Sequence, residues 1–139
     1  MAFYPYLNFG GNCREAFERY HEIFGGELVV LTGKDVPADA GVPAEQGDLV
    51  LHAALKIDDA LLMASDAPPG EFGPVQYMYV NWSTGDAGEA ERVWKELSDG
   101  ATVEVPLGPT FFSPAFGVCV DRFGTPWMIN TWPPEEASA

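Results

Sequence analysis

Positive charge is scarce in this chain: seven Lys and Arg stand against 21 Asp and Glu, a formal charge of −14. So acidic a surface repels phosphate backbones and offers no basic patch, which excludes nucleic acid as a partner. Cysteine is scarcer still. Cys13 and Cys119 form no CxxC pair, so a disulfide framework and a cysteine-based metal site both fail on count, and buried reduced thiols are expected. No run of 18 apolar residues occurs, which excludes a membrane-spanning helix. The opening MAFYPYLNFGGN lacks the basic start, long apolar centre and cleavage site of a signal peptide, so a cytoplasmic location is expected. Glycine-rich nucleotide loops, P-loops, HExxH and nucleophile elbows are missing too.

What is present suffices for one core: 47% of the 139 residues are apolar and 13% aromatic. YPYLNF (4–9) alternates like a strand, and GGN then supplies a turn and Asn12 as the expected helix N-cap. Across CREAFERYHEIF the residues Ala16, Phe17, Tyr20, Ile23 and Phe24 form one stripe of period 3.6, which Gly25 and Gly26 end. ELVVLTG reads as a strand, and residues 34–47, with two prolines and no periodicity, as an exposed, mobile loop. DLVLHAALKI and ALLMAS follow as strands joined at Asp58 and Asp59.

About 74 residues on, the order begins again. VQYMYVNW reads as an alternating strand, and Asp86 caps a helix whose stripe is Ala90, Val93, Trp94 and Leu97. ATVEVPL, FGVCVD and PWMINTW supply three more strands. Each half is βαβββ, giving an α+β chain of two tandem modules, 1–66 and 75–139, joined by a linker at 67–74. One helix covers one face of each four-stranded sheet, so the opposite faces are expected to be wet or to enclose a cleft. Parity puts Leu51, Ala53, Leu55 and Ile57 on the helix side and His52, Ala54 and Lys56 opposite. Likewise Met128, Asn130 and Trp132 oppose Trp127 and Ile129, and aligning Met63 with Met128 matches Ser65 to Asn130.

In the stretches YLNFGGNCREAFERYHEIFGGEL, LHAALKIDDALLMASD, EAERVWKELSDGATVEVPL and FGVCVDRFGTPWMIN the chain resembles the vicinal oxygen chelate superfamily, the glyoxalase and bleomycin-resistance group, and most closely its PhnB-like branch. The resemblance implies paired βαβββ modules in a curled mixed sheet around a pocket, commonly in a homodimer. It also implies a divalent metal held by His, Gln or Glu on the first and last strands of each module. Here those positions align with Pro5 or Tyr6, Val75 or Gln76, Ser65 and Asn130, which are poor ligands, so no metal and no other cofactor is expected. Some similar proteins carry a ubiquinone-pathway methyltransferase name, yet no glycine-rich strand-to-helix turn for a nucleotide-like cofactor is visible.

The expected function is binding of a small molecule, with a cationic guest favoured by the negative field, in a pocket of His52, Ser65, Tyr79, Asn130 and Trp132 joined by Phe111 and Phe112. For Phe111 and Phe112, in TFFSPAF, the readings are a lid, a dimer seam or core packing. The alternative is an enzyme of lyase, isomerase or dioxygenase type, with atypical metal ligands or with His52 as general base. A plain hydrogen-bonded strand histidine also satisfies the pattern.

Overall fold

A computed structural model of the chain describes residues 1–68 and 70–132. Pro69 of the expected linker and residues 133–139 of the expected second module lie outside the described residues. By internal contacts the chain divides after Gly73 into two compact units.

The first unit runs β1 (Tyr6–Phe9), α1 (Cys13–Phe24), β2 (Glu27–Thr32), a 3-10 turn (Ala44–Gln46), β3 (Val50–Ile57) and β4 (Ala60–Asp66). Its sheet has the order β1-β4-β3-β2, with β1 parallel to β4 and the other neighbours antiparallel. The predicted stripe of α1 holds at four of its five positions: Ala16, Phe17, Tyr20 and Ile23 are buried, together with Cys13, while Phe24 at the helix end is only half-buried. They meet Phe9, Ala53, Leu55 and Ala64 on the helix side of the sheet. Phe9 and Phe17 stack edge to face with centroids 6.1 Å apart, as do Phe17 and Tyr20 at 5.5 Å. Each large side chain so buried contributes about 1.5–3 kcal/mol against the entropy of ordering it.

The start of α1 differs from expectation. Asn12 makes no side-chain cap; Asp66, at the end of β4, replaces it. Asp66 Oδ1 accepts from the N–H groups of Gly11 and Cys13, and Oδ2 from that of Val50. A carboxylate at a helix N-terminus also gains from the helix dipole, which a neutral Asn does not. The stop is as expected: Gly26 holds φ +88°, and a Cβ there would collide with the Lys56 carbonyl. Parity breaks once, at a register shift between Leu31 and Thr32, where Val50 becomes buried and pairs with Thr32 in place of Leu51. The loop expected to be mobile is tied at its base. Thr32 N–H and Oγ1 both donate to Asp35 Oδ2, and Lys34 N–H donates to the Gly47 carbonyl.

The second unit runs β5 (Val80–Thr84), α2 (Ala87–Leu97), β6 (Thr102–Gly108), β7 (Phe116–Val120) and β8 (Pro126–Thr131), in the sheet order β5-β8-β7-β6. Here the expected cap is in place, since Asp86 Oδ1 accepts from Gly88 N–H at 2.9 Å and Glu89 N–H at 3.2 Å. Ala90, Val93 and Leu97 are buried. Trp94 lies against Gly117, where a Cβ would approach its ring to 2.8 Å. The first strand of this module is shorter than the sequence suggests and starts later, at Val80. Tyr77 sits at φ +63°, a left-handed conformation that breaks the extended run through residues 75–79.

Both units therefore have a parallel outer pair of strands and a helix over one face. One buried cysteine lies in each core, Cys13 and Cys119. No helix among the described residues is long and apolar enough to cross a membrane.

Candidate functional site

The faces that the helices leave uncovered carry the chemistry. In the first sheet the ladder aligns Tyr6 with Met63 and Asn8 with Ser65 on β1 and β4, and Ala54 with Met63 on β3. On the far strand Val29 faces Ala54 and Leu31 faces His52. These residues share the side opposite α1, because their neighbours Phe9, Ala53, Leu55 and Ala64 are the buried ones. Apolar groups are left open there: Tyr6 is 47% exposed, Val29 53% and Leu31 41%.

Two polar contacts organise this face. Tyr6 Oη lies 3.3 Å from His52 Nδ1, with ring centroids 5.9 Å apart. A hydroxyl both donates and accepts, so either tautomer of His52 can be matched. Ser65 Oγ donates to Asn8 Oδ1 at 3.2 Å.

In the second sheet Asn81 aligns with Met128 and Ser83 with Asn130. The structural counterpart of Tyr6 is therefore Asn81, not Val75 or Gln76, which precede the strand. The two ladders carry the same polar pair with the strands exchanged: Asn8 beside Ser65 in the first, Ser83 beside Asn130 in the second. Phe116 pairs with Asn130, Phe112 packs edge-on against Phe116 at 5.0 Å, and Phe111 against Phe112 at 5.1 Å.

His52 and Ser65 thus lie on one open face, and Asn130 lies on the open face of the other sheet with Phe112 close by. Trp132 lies just past β8, its N–H donating to the Thr84 carbonyl at 3.3 Å. Phe111 is fully exposed and Phe112 half exposed. The loop that carries them is anchored by buried Ser113, whose Oγ lies 2.8 Å from the Ala115 carbonyl and 2.7 Å from that of Thr131. Tyr79 precedes β5 and donates its hydroxyl proton to Glu104 Oε2 at 3.0 Å. That carboxylate holds the Tyr79 pKa above its ordinary value.

Sequence reasoning missed Asn8 and Ser83. Strand parity could have found them, since Tyr6 and Asn8 alternate with the core-facing Leu7 and Phe9. It also missed the structural carboxylate Asp121, in the turn before β8. Asp121 Oδ1 accepts from Phe123 and Thr125 N–H, and Oδ2 accepts from Trp127 Nε1–H at 2.8 Å.

A separate cavity of about 530 Å³ lies at the start of α1, lined among others by Arg14, Glu18, Lys34, Asp48 and Asp66. Most of its charges already have partners. Lys34 Nζ lies 2.5 Å from Asp48 Oδ1, which raises the Lys34 pKa and lowers that of Asp48. Arg14 pairs with Glu18, and Asp66 is taken up by three backbone N–H groups.

Residues 1–130 match the family described as 3-demethylubiquinone-9 3-methyltransferase. Protein YjdN of Escherichia coli is 30% identical over 139 residues, covering 94% of this chain and 95% of YjdN. The crystal structure of PA1353 from Pseudomonas aeruginosa is 39% identical, with a TM-score of 0.88 over 96% of this chain and 98% of PA1353. A Bacillus cereus PhnB protein is 24% identical, with a TM-score of 0.76 over 94% of this chain and 99% of its own. The same fold, at 8% identity and a TM-score of 0.66, covers 100% of this chain and 98% of the fosfomycin resistance protein FosX of Listeria monocytogenes.

Proposed function

Because this chain belongs to the 3-demethylubiquinone-9 3-methyltransferase family, the PhnB-like branch of the vicinal oxygen chelate superfamily, we propose that it binds a small organic molecule on its helix-free sheet faces and does so without the superfamily's divalent metal. The observation that carries this reading is the duplicated polar pair, Asn8 with Ser65 and Ser83 with Asn130, in which Ser65 and Asn130 stand where the resemblance puts the last-strand metal ligands. Neutral amides and hydroxyls recognise organic donors and acceptors; they are weak ligands for zinc, nickel or iron. Tyr6 and Asn81, two residues before Asn8 and Ser83 on the same strands, add a phenol and a second amide. Among the described residues no three His, Cys, Asp or Glu side chains gather closely enough to hold a metal ion. The donor set does not fit the metal.

Around the polar pairs stand apolar and aromatic groups, Val29, Leu31, Met63 and Phe116, the usual composition of a small-molecule site. The net charge of −14 draws cationic guests. Methyl transfer from a nucleotide-like cofactor finds no support at the Gly10-Gly11 turn before α1, because the Gly11 and Cys13 amides already bind Asp66. In this reading the protein works in the cytoplasm as a homodimer, with exposed Val103 and Val105 on β6 as a candidate contact surface.

The test joins metal analysis to a ligand screen. Protein purified without chelator is expected to carry no stoichiometric divalent ion, and cationic aromatic compounds are expected to raise its melting temperature. In the same screen His52→Ala should melt like the parent and lose at least part of the shift. A stoichiometric metal that leaves with chelator, or a screen with no shift at all, would overturn the proposal.

A further inference from the structure

The two polar pairs differ in how they are satisfied. In the first unit the pair closes on itself, Ser65 Oγ donating to Asn8 Oδ1 at 3.2 Å. In the second, Ser83 Oγ accepts from Asn81 Nδ2 at 2.9 Å instead, and Asn130 Oδ1 is left without a partner. Among the described residues two buried side-chain polar atoms have no hydrogen-bond partner, and both lie here: Asn130 Oδ1 and Trp132 Nε1. They are two residues apart, the spacing at which an extended chain repeats its facing. One is an acceptor and the other a donor. A buried polar atom without a partner costs stability, so two of opposite sense at this spacing call for a physical reason.

We infer that Asn130 and Trp132 form a two-point handle for a carboxamide or lactam, a group that carries an N–H donor and a C=O acceptor together. Its N–H donates to the Asn130 carbonyl, and its C=O accepts from the Trp132 indole. An Asn side chain turned end for end still offers a donor and an acceptor to the same group. A carboxylate fails at this site, having no proton to donate, and the net charge of −14 repels it further. Phe116, the ladder partner of Asn130, stacks with Phe112 and provides an aromatic surface beside the handle. An aromatic carboxamide is therefore the favoured form. This assignment rests on the ligand-binding reading above and gives it a ligand class.

Benzamide and benzoate make the decisive pair of probes, being alike in shape and different only in the group that meets the handle. The chain has four tryptophans, so an ¹H–¹⁵N spectrum holds four indole signals, and Trp132→Phe identifies the fourth. Benzamide is expected to move the Trp132 indole signal downfield in a saturable way. The Trp127 signal should stay in place, because that indole already donates to Asp121. Benzoate should bind at least tenfold more weakly. Asn130→Leu, close in shape, should weaken benzamide at least tenfold while leaving the free protein as stable as before or more so, because it removes an unpaired buried acceptor. A Trp132 signal unmoved by benzamide, an equal response to benzoate, or a fall of more than about 5 °C in the melting temperature of free Asn130→Leu would each overturn the handle. If cationic aromatics still shift the melting temperature while benzamide leaves Trp132 unmoved, the handle falls and the binding function stands. If nothing in either set binds, both fall.

Discussion

Asp121 shows how much one buried carboxylate can hold. Its two oxygens take up the Phe123 and Thr125 amides and the indole of Trp127, among the largest fully buried side chains. Removing an acceptor strands each donor without water, so Asp121→Ala should cost about 3 kcal/mol or more, measured as a lower urea midpoint. A loss below about 0.5 kcal/mol, typical of surface changes, would show that the turn re-forms without it. The thiols behave differently. Burial, reinforced by the nearby Asp66 charge, pushes the Cys13 pKa from 9.0 to about 12; burial, with Asp121 next, pushes that of Cys119 to about 11. Both folded values lie above the unfolded one. Stability from the neutral thiols is thus complete below pH 9 and falls as pH rises through 11 to 12. A Cys13→Ala, Cys119→Ala double variant should show a shallower decline of melting temperature from pH 9 upward, and a slope matching the parent's would refute the assignment.

At the scale of elements, the start of α1 depends on residue 66, more than fifty positions away. Asp66→Ala would free three N–H groups at once, at the helix start and at the first residue of β3, and should cost about 2–3 kcal/mol in chemical denaturation with an unchanged slope. Asp66→Asn, which keeps one carbonyl acceptor, should fall between. If both variants matched the parent, Asn12 would be the working cap after all. Here lies the boundary of what the sequence made legible. Helix stripes, the βαβββ succession of elements along each module and the α2 cap are local signals of period and short spacing, and they could be read directly. The replacement of Asn12 by Asp66 is a tertiary event, decided by where β4 ends relative to α1. The late start of β5 was hidden because VQYMYVNW alternates well as letters, while the left-handed Tyr77 that interrupts it leaves no mark in the pattern. For the candidate site, parity placed His52, Ser65 and Asn130 on helix-free faces, but the partner strand that supplies Asn8 and Ser83 emerged only with the register.

For the whole molecule the governing quantity is charge. With −14 on 139 residues, self-repulsion opposes compaction. Exposed ion pairs such as Arg92 with Glu89 and Glu96 contribute little against it, since pairs of this kind are worth about 0–1 kcal/mol. Raising ionic strength from about 0.01 to 0.15 M shortens the screening length from about 30 to 8 Å. Relief of repulsion should outweigh the weakened pairs, so the melting temperature should rise with salt in calorimetry; a fall would mean that the pairs dominate. The two sealed sulfurs, Cys13 in the first unit and Cys119 in the second, carry a last consequence. Each can be alkylated only when its own half opens, so timed labelling read by peptide mass gives separate opening rates for the two repeats. The chain carries a stopwatch in each half and needs no engineered reporter to show which lets go first.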